Sequence, residues 1–275
     1  MPTNLHSRRP EGLPDYDTPP ISEVGFSIQF ERPEGFNQMY VRDFWEMFRD
    51  GYPIATIEPR LAPIFETFSA PFRDLRKSQF KFEAHQGPVE NRCVFSSENF
   101  NSIIQFQSDR ISLNWKKDHD RRYPRFELIR DRFAEAVNQV EKKFEEFSWG
   151  KLAANQCELV YSNSIPISPP SLGANILKLD SLQEVEELEG FQINFSRLLR
   201  DNTGERYARV HVSGVTTFND EKQHVLLLNI AVRGRPLGQN VDDCWKFFHA
   251  ARISIVEMFT KITSQQAQET WSRVK

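Results

Sequence analysis

Two stretches of this chain carry apolar residues at the period of an α-helix, and each closes a run of segments that alternate at the period of a β-strand. After Pro124, a residue suited to a first helical turn, Phe126, Ile129, Phe133, Val137, Val140, Phe144 and Phe147 recur at spacings of three and four. Val241, Trp245, Phe248, Ile255, Phe259 and Ile262 form a second such stripe behind the turn sequence Gly234-Arg235-Pro236-Leu237-Gly238. These spacings predict long amphipathic helices over 124–147 and 240–262. A helix with one apolar stripe has to bury it, and strands with one apolar face are the natural partner.

The strands are readable ahead of each helix. Val24, Phe26, Ile28 and Phe30 alternate with polar or small residues. Further strands are expected near 78–85, 91–98, 102–108 and 110–116, with a tight turn at Ser108-Asp109. On that hairpin Ile104, Phe106, Ile111, Leu113 and Trp115 share one side, leaving Gln105, Gln107, Ser112 and Asn114 on the other. Residues 38–50 predict a short helix stopped by Gly51 and Pro53, and 54–75, punctuated by prolines, an irregular segment. The second half predicts strands at 155–165, 191–198, 206–217 and 223–233, with a weak acidic helix around 180–188.

The expected fold class is therefore α+β: two similar lobes of antiparallel sheet, 21–150 and 151–275, each closed by a long amphipathic helix, after a flexible arm over 1–20. Two such lobes can share one curved, saddle-like sheet, by analogy of element order with TATA-binding-protein-like and helix-grip folds. The 23 phenylalanines point to aromatic cores.

Composition narrows the function. Net charge is −3, so no global basic field draws the chain to nucleic acid or anionic lipid. Cys93, Cys157 and Cys244 are odd in number and never in a CxxC pair, which argues against a disulfide framework or structural zinc. Neither a membrane-spanning apolar run nor an apolar leader region is readable, so the expected location is cytoplasmic. No GxxxxGK[ST], GxGxxG after a strand, GxSxG or HExxH occurs, so neither cofactor nor metal is expected, and the reading leans away from an enzyme.

Three features carry candidate chemistry. The stretch Asn114-Trp115-Lys116-Lys117-Asp118-His119-Asp120-Arg121-Arg122-Tyr123 interleaves cations with aromatics and invites phosphate contacts, although a strand-to-helix loop of mixed charge is usually just solvated. The outer sheet face, Gln105, Gln107, Ser112 and Asn114 with Gln192, Asn194, Ser196, Arg209, His211 and Ser213, offers amides and hydroxyls suited to a peptide, a nucleic acid or another subunit. The alternative is a wet antiparallel face. Glu158, in Asn155-Gln156-Cys157-Glu158-Leu159, is the best single acid or base, but no partner nucleophile is near it in sequence.

The phrases PPISEVGFSIQF, IIQFQSDRISLNWKK, YPRFELIRDRF, NQCELVYSNSI and HAARISIVEMFTKITSQQAQETW resemble, in order and spacing, a sporadically distributed prokaryotic family of uncharacterised proteins, over about residues 19 to 271. The resemblance implies a cytoplasmic accessory protein of the scattered kind linked to defence genes, and it assigns no role to any residue. Gln105, Asn114, Trp115, Tyr123, Arg125, Asn155, Gln156 and Glu158 fall inside those phrases. With Lys116, Lys117, Arg121, Arg122, Arg209 and His211 they form the expected binding set.

The leading expectation is a non-enzymatic interaction or regulatory protein, a subunit of a prokaryotic defence or toxin–antitoxin-like system with a protein partner encoded nearby. The alternatives are a nucleic-acid-binding module and a hydrolase or nuclease of unrecognised type. A homo-oligomer is compatible with the same face.

Overall fold

A computed structural model describes residues 12–68, 90–118, 122–167, 172–183, 185–219 and 221–274. The strands are β1 (Ile21–Phe30), β2 (Ile54–Pro59), β3 (Asn91–Ser96), β4 (Ser102–Gln107), β5 (Arg110–Lys116), β6 (Ala154–Pro166), β7 (Gln192–Arg200), β8 (Arg206–Phe218) and β9 (His224–Gly234). The helices are α1 (Val41–Phe48), α2 (Phe126–Glu146), α3 (Leu172–Ile176), α4 (Asp180–Gln183), α5 (Val241–Ile262) and α6 (Gln265–Thr270). The fold is α+β, built on one open, curved antiparallel sheet of nine strands in the order β2-β3-β4-β5-β1-β6-β9-β8-β7.

The two halves meet at the centre of this sheet. β1 pairs antiparallel with β6, with Phe26 opposite Leu159 and Ile28 opposite Cys157. On the far side of β1 lies β5, the last strand before α2, and on the far side of β6 lies β9, the last strand before α5. Each half thus places its first strand at the centre and the strand before its long helix next to it. The strands of each half run outward from the β1–β6 pair within one sheet, and one apolar core runs through both halves.

Alternation decides which face the helices cover. Val24, Phe26, Ile28 and Phe30 of β1 are all buried on the helix side. Phe26 is fully buried, and its ring lies 5.5 Å and 5.6 Å from Phe126 and Phe133 of α2 and 5.1 Å from Phe248 of α5. One central side chain therefore touches both lids. Trp245 of α5 meets Phe133 of α2 at 5.9 Å, so the helices also pack on each other. Stacked and edge-on rings continue outward through Phe44 on Phe106 and Phe30 on Phe144.

Several expectations shift in detail. Residues 54–59 form the edge strand β2, paired with β3 despite ending on a proline, because an edge position needs no donor on its outer side. The strand expected over 78–85 lies outside the described residues. The helix near 180–188 shortens to α4, while α3 and α6 carry no periodic pattern long enough to read. Of the arm, residues 12–20 are docked: Tyr16 is buried against Phe259 and Trp271 and bridges to Arg273, with its hydroxyl 2.9 Å from Thr260 Oγ1. An isolated aromatic in a Pro/Asp-rich stretch gives no period to detect.

Removing the shared ring should loosen both lids at once. Phe26→Ala is expected to lower unfolding stability by about 3–5 kcal/mol, measured by urea denaturation. A loss below about 1 kcal/mol would show that Phe26 does not link the helices.

Candidate functional site

The residues of β1 that alternate with its buried phenylalanines point to the face opposite the helices. Register carries that face across the sheet: Gln107 of β4 stands opposite Arg110 of β5, Arg110 opposite Gln29 of β1, and Gln29 opposite Gln156 of β6. The adjoining row runs Gln105, Ser112, Ser27, Glu158, Arg233 and Arg209. Amides flanking Arg110 thus line one row of this band, and Glu158, Arg233 and Arg209 bring charge to the other.

The band is covered by the chain itself. Residues 60–68, which follow β2, pass over it and are held almost wholly by side chains rising from the sheet. Gln107 Nε2 donates to Leu61 O at 2.9 Å while Leu61 N–H donates to Gln107 Oε1 at 3.0 Å. Gln29 treats Ile64 the same way, with both bonds at 2.9 Å. A primary amide has one donor and one acceptor side by side, so it can pair with the N–H and C=O of one extended residue. Arg110 Nη2 adds a bond to Ala62 O at 3.1 Å, and the Arg110 guanidinium also meets Gln29 Oε1.

The far end of the strap is fixed by charge. The Glu66 side chain is only 5% exposed; its Oε2 lies 2.5 Å from Arg209 Nη1, its Oε1 lies 2.5 Å from His211 Nε2, and Arg233 Nη1 is 3.7 Å away. Arg209, 6% exposed, also donates to Thr67 O at 3.1 Å, and Arg206 donates to Phe68 O at 2.7 Å. Arg233 completes its coordination on Glu158 through Nε at 2.9 Å. The other end is held by Arg60, 2.5 Å from Asp109 Oδ2. The outward side chains Leu61, Ile64 and Phe65 remain exposed.

Beyond the strap the face remains polar. Gln105 Nε2 donates to Asn114 Oδ1 at 3.1 Å and Asn114 Nδ2 to Glu23 Oε1 at 2.7 Å. Gly25 faces Asn114 across the ladder, and a Cβ there would lie 3.0 Å from Asn114 Nδ2, so the missing side chain makes room for this relay.

The expected binding residues divide accordingly. Gln105, Asn114, Gln156, Glu158, Arg209 and His211 share the polar face. Lys116 and Lys117 are exposed at its rim and Arg122 is exposed nearby, whereas Arg121 lies outside the described residues. Four others belong elsewhere. Trp115 is buried on the helix side, where the hairpin alternation puts it, with its ring 5.5 Å from Tyr123. Tyr123 shares a 3.1 Å hydroxyl contact with Tyr161. Arg125 adopts φ 79° and ψ 156°, a backbone region nearly reserved for glycine, and its guanidinium is held 2.8 Å from Asp15 Oδ1 and 3.1 Å from Tyr16 O. Asn155 is the extra residue at a register irregularity between the Gln29–Gln156 and Phe30–Ala154 pairs, and it lines a separate hollow with Tyr207 and Gln239.

The members that sequence reading leaves out of the site are Gln29, Arg110, Arg233 and the strap, while Gln107 was placed on the outer face without being singled out as a contact. Gln29 and Gln107 were legible as outward residues by alternation. Glu66 was not, because nothing local shows that a proline-punctuated segment returns to the sheet.

A second hollow, of about 70 Å³, opens on the helix side between Tyr16, Tyr123, Tyr161, Asn163, Arg125 and Arg252. Its cations are already committed, Arg125 to Asp15 and Arg252 to Glu127. Burial pushes the Tyr161 phenol up to about 12 and Tyr123 well above its ordinary range, so both stay protonated and supply no base at neutral pH. Among the described residues no cluster of three or more His, Cys, Asp or Glu could hold a metal ion, and no helix is long and apolar enough to cross a membrane. No protein-family model matches the chain, and no curated protein matches it.

Two predictions follow from these environments. If the glutamines hold the strap as a unit, Gln107→Ala should speed amide exchange at Ile64, and Gln29→Ala at Leu61. Losing two hydrogen bonds, about 1–3 kcal/mol, corresponds to roughly 5- to 150-fold in hydrogen-exchange NMR; unchanged rates would mean that the two anchors act separately. Alkaline stability is the second test. Cys93, pushed up to about 11 by burial, and the two tyrosines keep their protons in the fold at pH values where the unfolded chain loses them. Stability should therefore hold up to about pH 9 and fall as pH rises toward 11–12. A urea midpoint that stays level between pH 8 and 10.5 would contradict the burial of these groups.

Proposed function

We propose that this chain is a non-enzymatic protein-interaction module that holds an extended polypeptide across the polar face of its sheet. The observation that carries this reading is the pair of two-point contacts from Gln107 and Gln29 to the backbone of Leu61 and Ile64. Side chains that address backbone N–H and C=O recognise extended chain largely regardless of its residues, as an added strand does at a sheet edge. Glu66 in its cationic seat adds the side-chain selectivity that backbone contacts lack. Catalysis is disfavoured: Glu158 is committed to Arg233, and among the described residues no nucleophile is hydrogen-bonded to it.

The biological setting proposed with this reading is a regulatory subunit of a defence or toxin–antitoxin-like system, acting on a partner encoded nearby; the sequence resemblance supports that setting. Co-expression with the products of adjacent genes should yield a stable complex that protects the polar face from amide exchange. Measured in a chain whose strap is already loosened by Ile64→Pro, so that release of the strap does not offset the loss, Gln29→Ala combined with Gln107→Ala should weaken it at least about tenfold, as expected from the loss of four neutral hydrogen bonds. Protection mapping to α2 and α5 instead, with affinity unchanged by the double substitution, would overturn the reading. The exposed cations Lys116, Lys117 and Arg122 keep the nucleic-acid alternative testable. Binding of labelled DNA or RNA that falls steeply with salt, and is lost when these three become alanine, would transfer the face to that ligand.

A further inference from the structure

Resting on the polypeptide-binding reading, we infer that residues 60–68 are an internal stand-in for the partner: the strap occupies the face in cis and is displaced by an extended segment bearing a carboxylate side chain where Glu66 now sits. The strap has the contacts of a bound peptide and few of those of a folded element. Its side chains at 61, 64 and 65 face solvent, and its anchors are amides and guanidiniums from the sheet rather than apolar burial. Glu66 is the one strap side chain taken deep into the protein.

The fit is also incomplete. Gln156 continues the row of amides after Gln107 and Gln29, is 4% exposed, and lines the small hollow beneath Ile64 together with Glu158 and Arg233. Its Nε2 has no hydrogen-bond partner among the described residues. A buried amide donor left unused by the cis segment is an incentive for a better occupant, because a chain that lies closer to β6 would satisfy it. The chemistry of that occupant is set by Arg209: buried beside Arg233, it requires a carboxylate whenever Glu66 leaves. The ligand is therefore an extended polypeptide with two backbone-paired residues three apart and Asp or Glu two positions beyond the second.

The test uses the full chain and a fluorescein-labelled peptide of residues 59–68, PRLAPIFETF. Glu66→Ala frees the receptor groups, and Ile64→Pro loosens the strap differently, by deleting the N–H that Gln29 accepts while leaving the Glu66 contacts in place. Fluorescence anisotropy is expected to show at least about tenfold tighter binding of the peptide to either loosened chain than to the unsubstituted one. The gain should vanish when the peptide carries Gln in place of its Glu. Should Glu66→Ala fail to fold, as judged by circular dichroism, Ile64→Pro carries the test. Equal binding to the unsubstituted and loosened chains would overturn displacement while leaving the face a polypeptide site. Absence of binding to every folded variant would overturn both.

Discussion

The antiparallel pairing of β1 with β6 is the contact on which the rest of the molecule depends. It is the strand pairing that joins the two halves of the sheet, and it places Phe26 where both long helices can reach it. Because side chains alternate on a strand, fixing Phe26 toward the helices fixes Gln29 toward the opposite face. A one-residue slip at this pair would carry glutamine into an aromatic core and phenylalanine into water. Core and site are two consequences of one register.

That register also explains why the polar face is rich in amides and paired charges. A solvated sheet face would need only exposed Lys and Glu, whereas here Gln29, Gln107 and Gln156 lie buried in one row. Buried amides need partners, and the strap supplies them for two of the three. The charged groups follow the same rule: Arg209 is buried because Glu66 is buried with it, and either alone would be strongly unfavourable. In the proposed reading, specificity for an extended, acidic chain emerges from satisfying groups that the fold has already placed.

Much of this was written in local pattern. The alternation in 24–30, the hairpin 102–116 and the two helical stripes define the sheet, its lids and the polar face, because each depends only on period. Arg209, His211, Gln105 and Asn114 were readable as outward residues for the same reason. What the sequence conceals is long-range: that 60–68 doubles back over the sheet, and that Glu66 meets a residue 143 positions away. The cation-rich loop after β5 misleads in the opposite direction, since Trp115 and Tyr123 are aromatic for packing and Arg125 serves to hold the chain near Tyr16.

The central claim is that two glutamine side chains clasp an extended backbone, and side-chain NMR observes that directly. In the native chain, the Gln29 and Gln107 carboxamide protons should be slowed in exchange with water. They should also show nuclear Overhauser contacts to the backbone amide protons of Ile64 and Leu61, respectively. Carboxamides that exchange at the free rate and show no contact to residues 61–64 would contradict the account, for then the polar face would be empty and its band of buried amides would lack the partner that explains it.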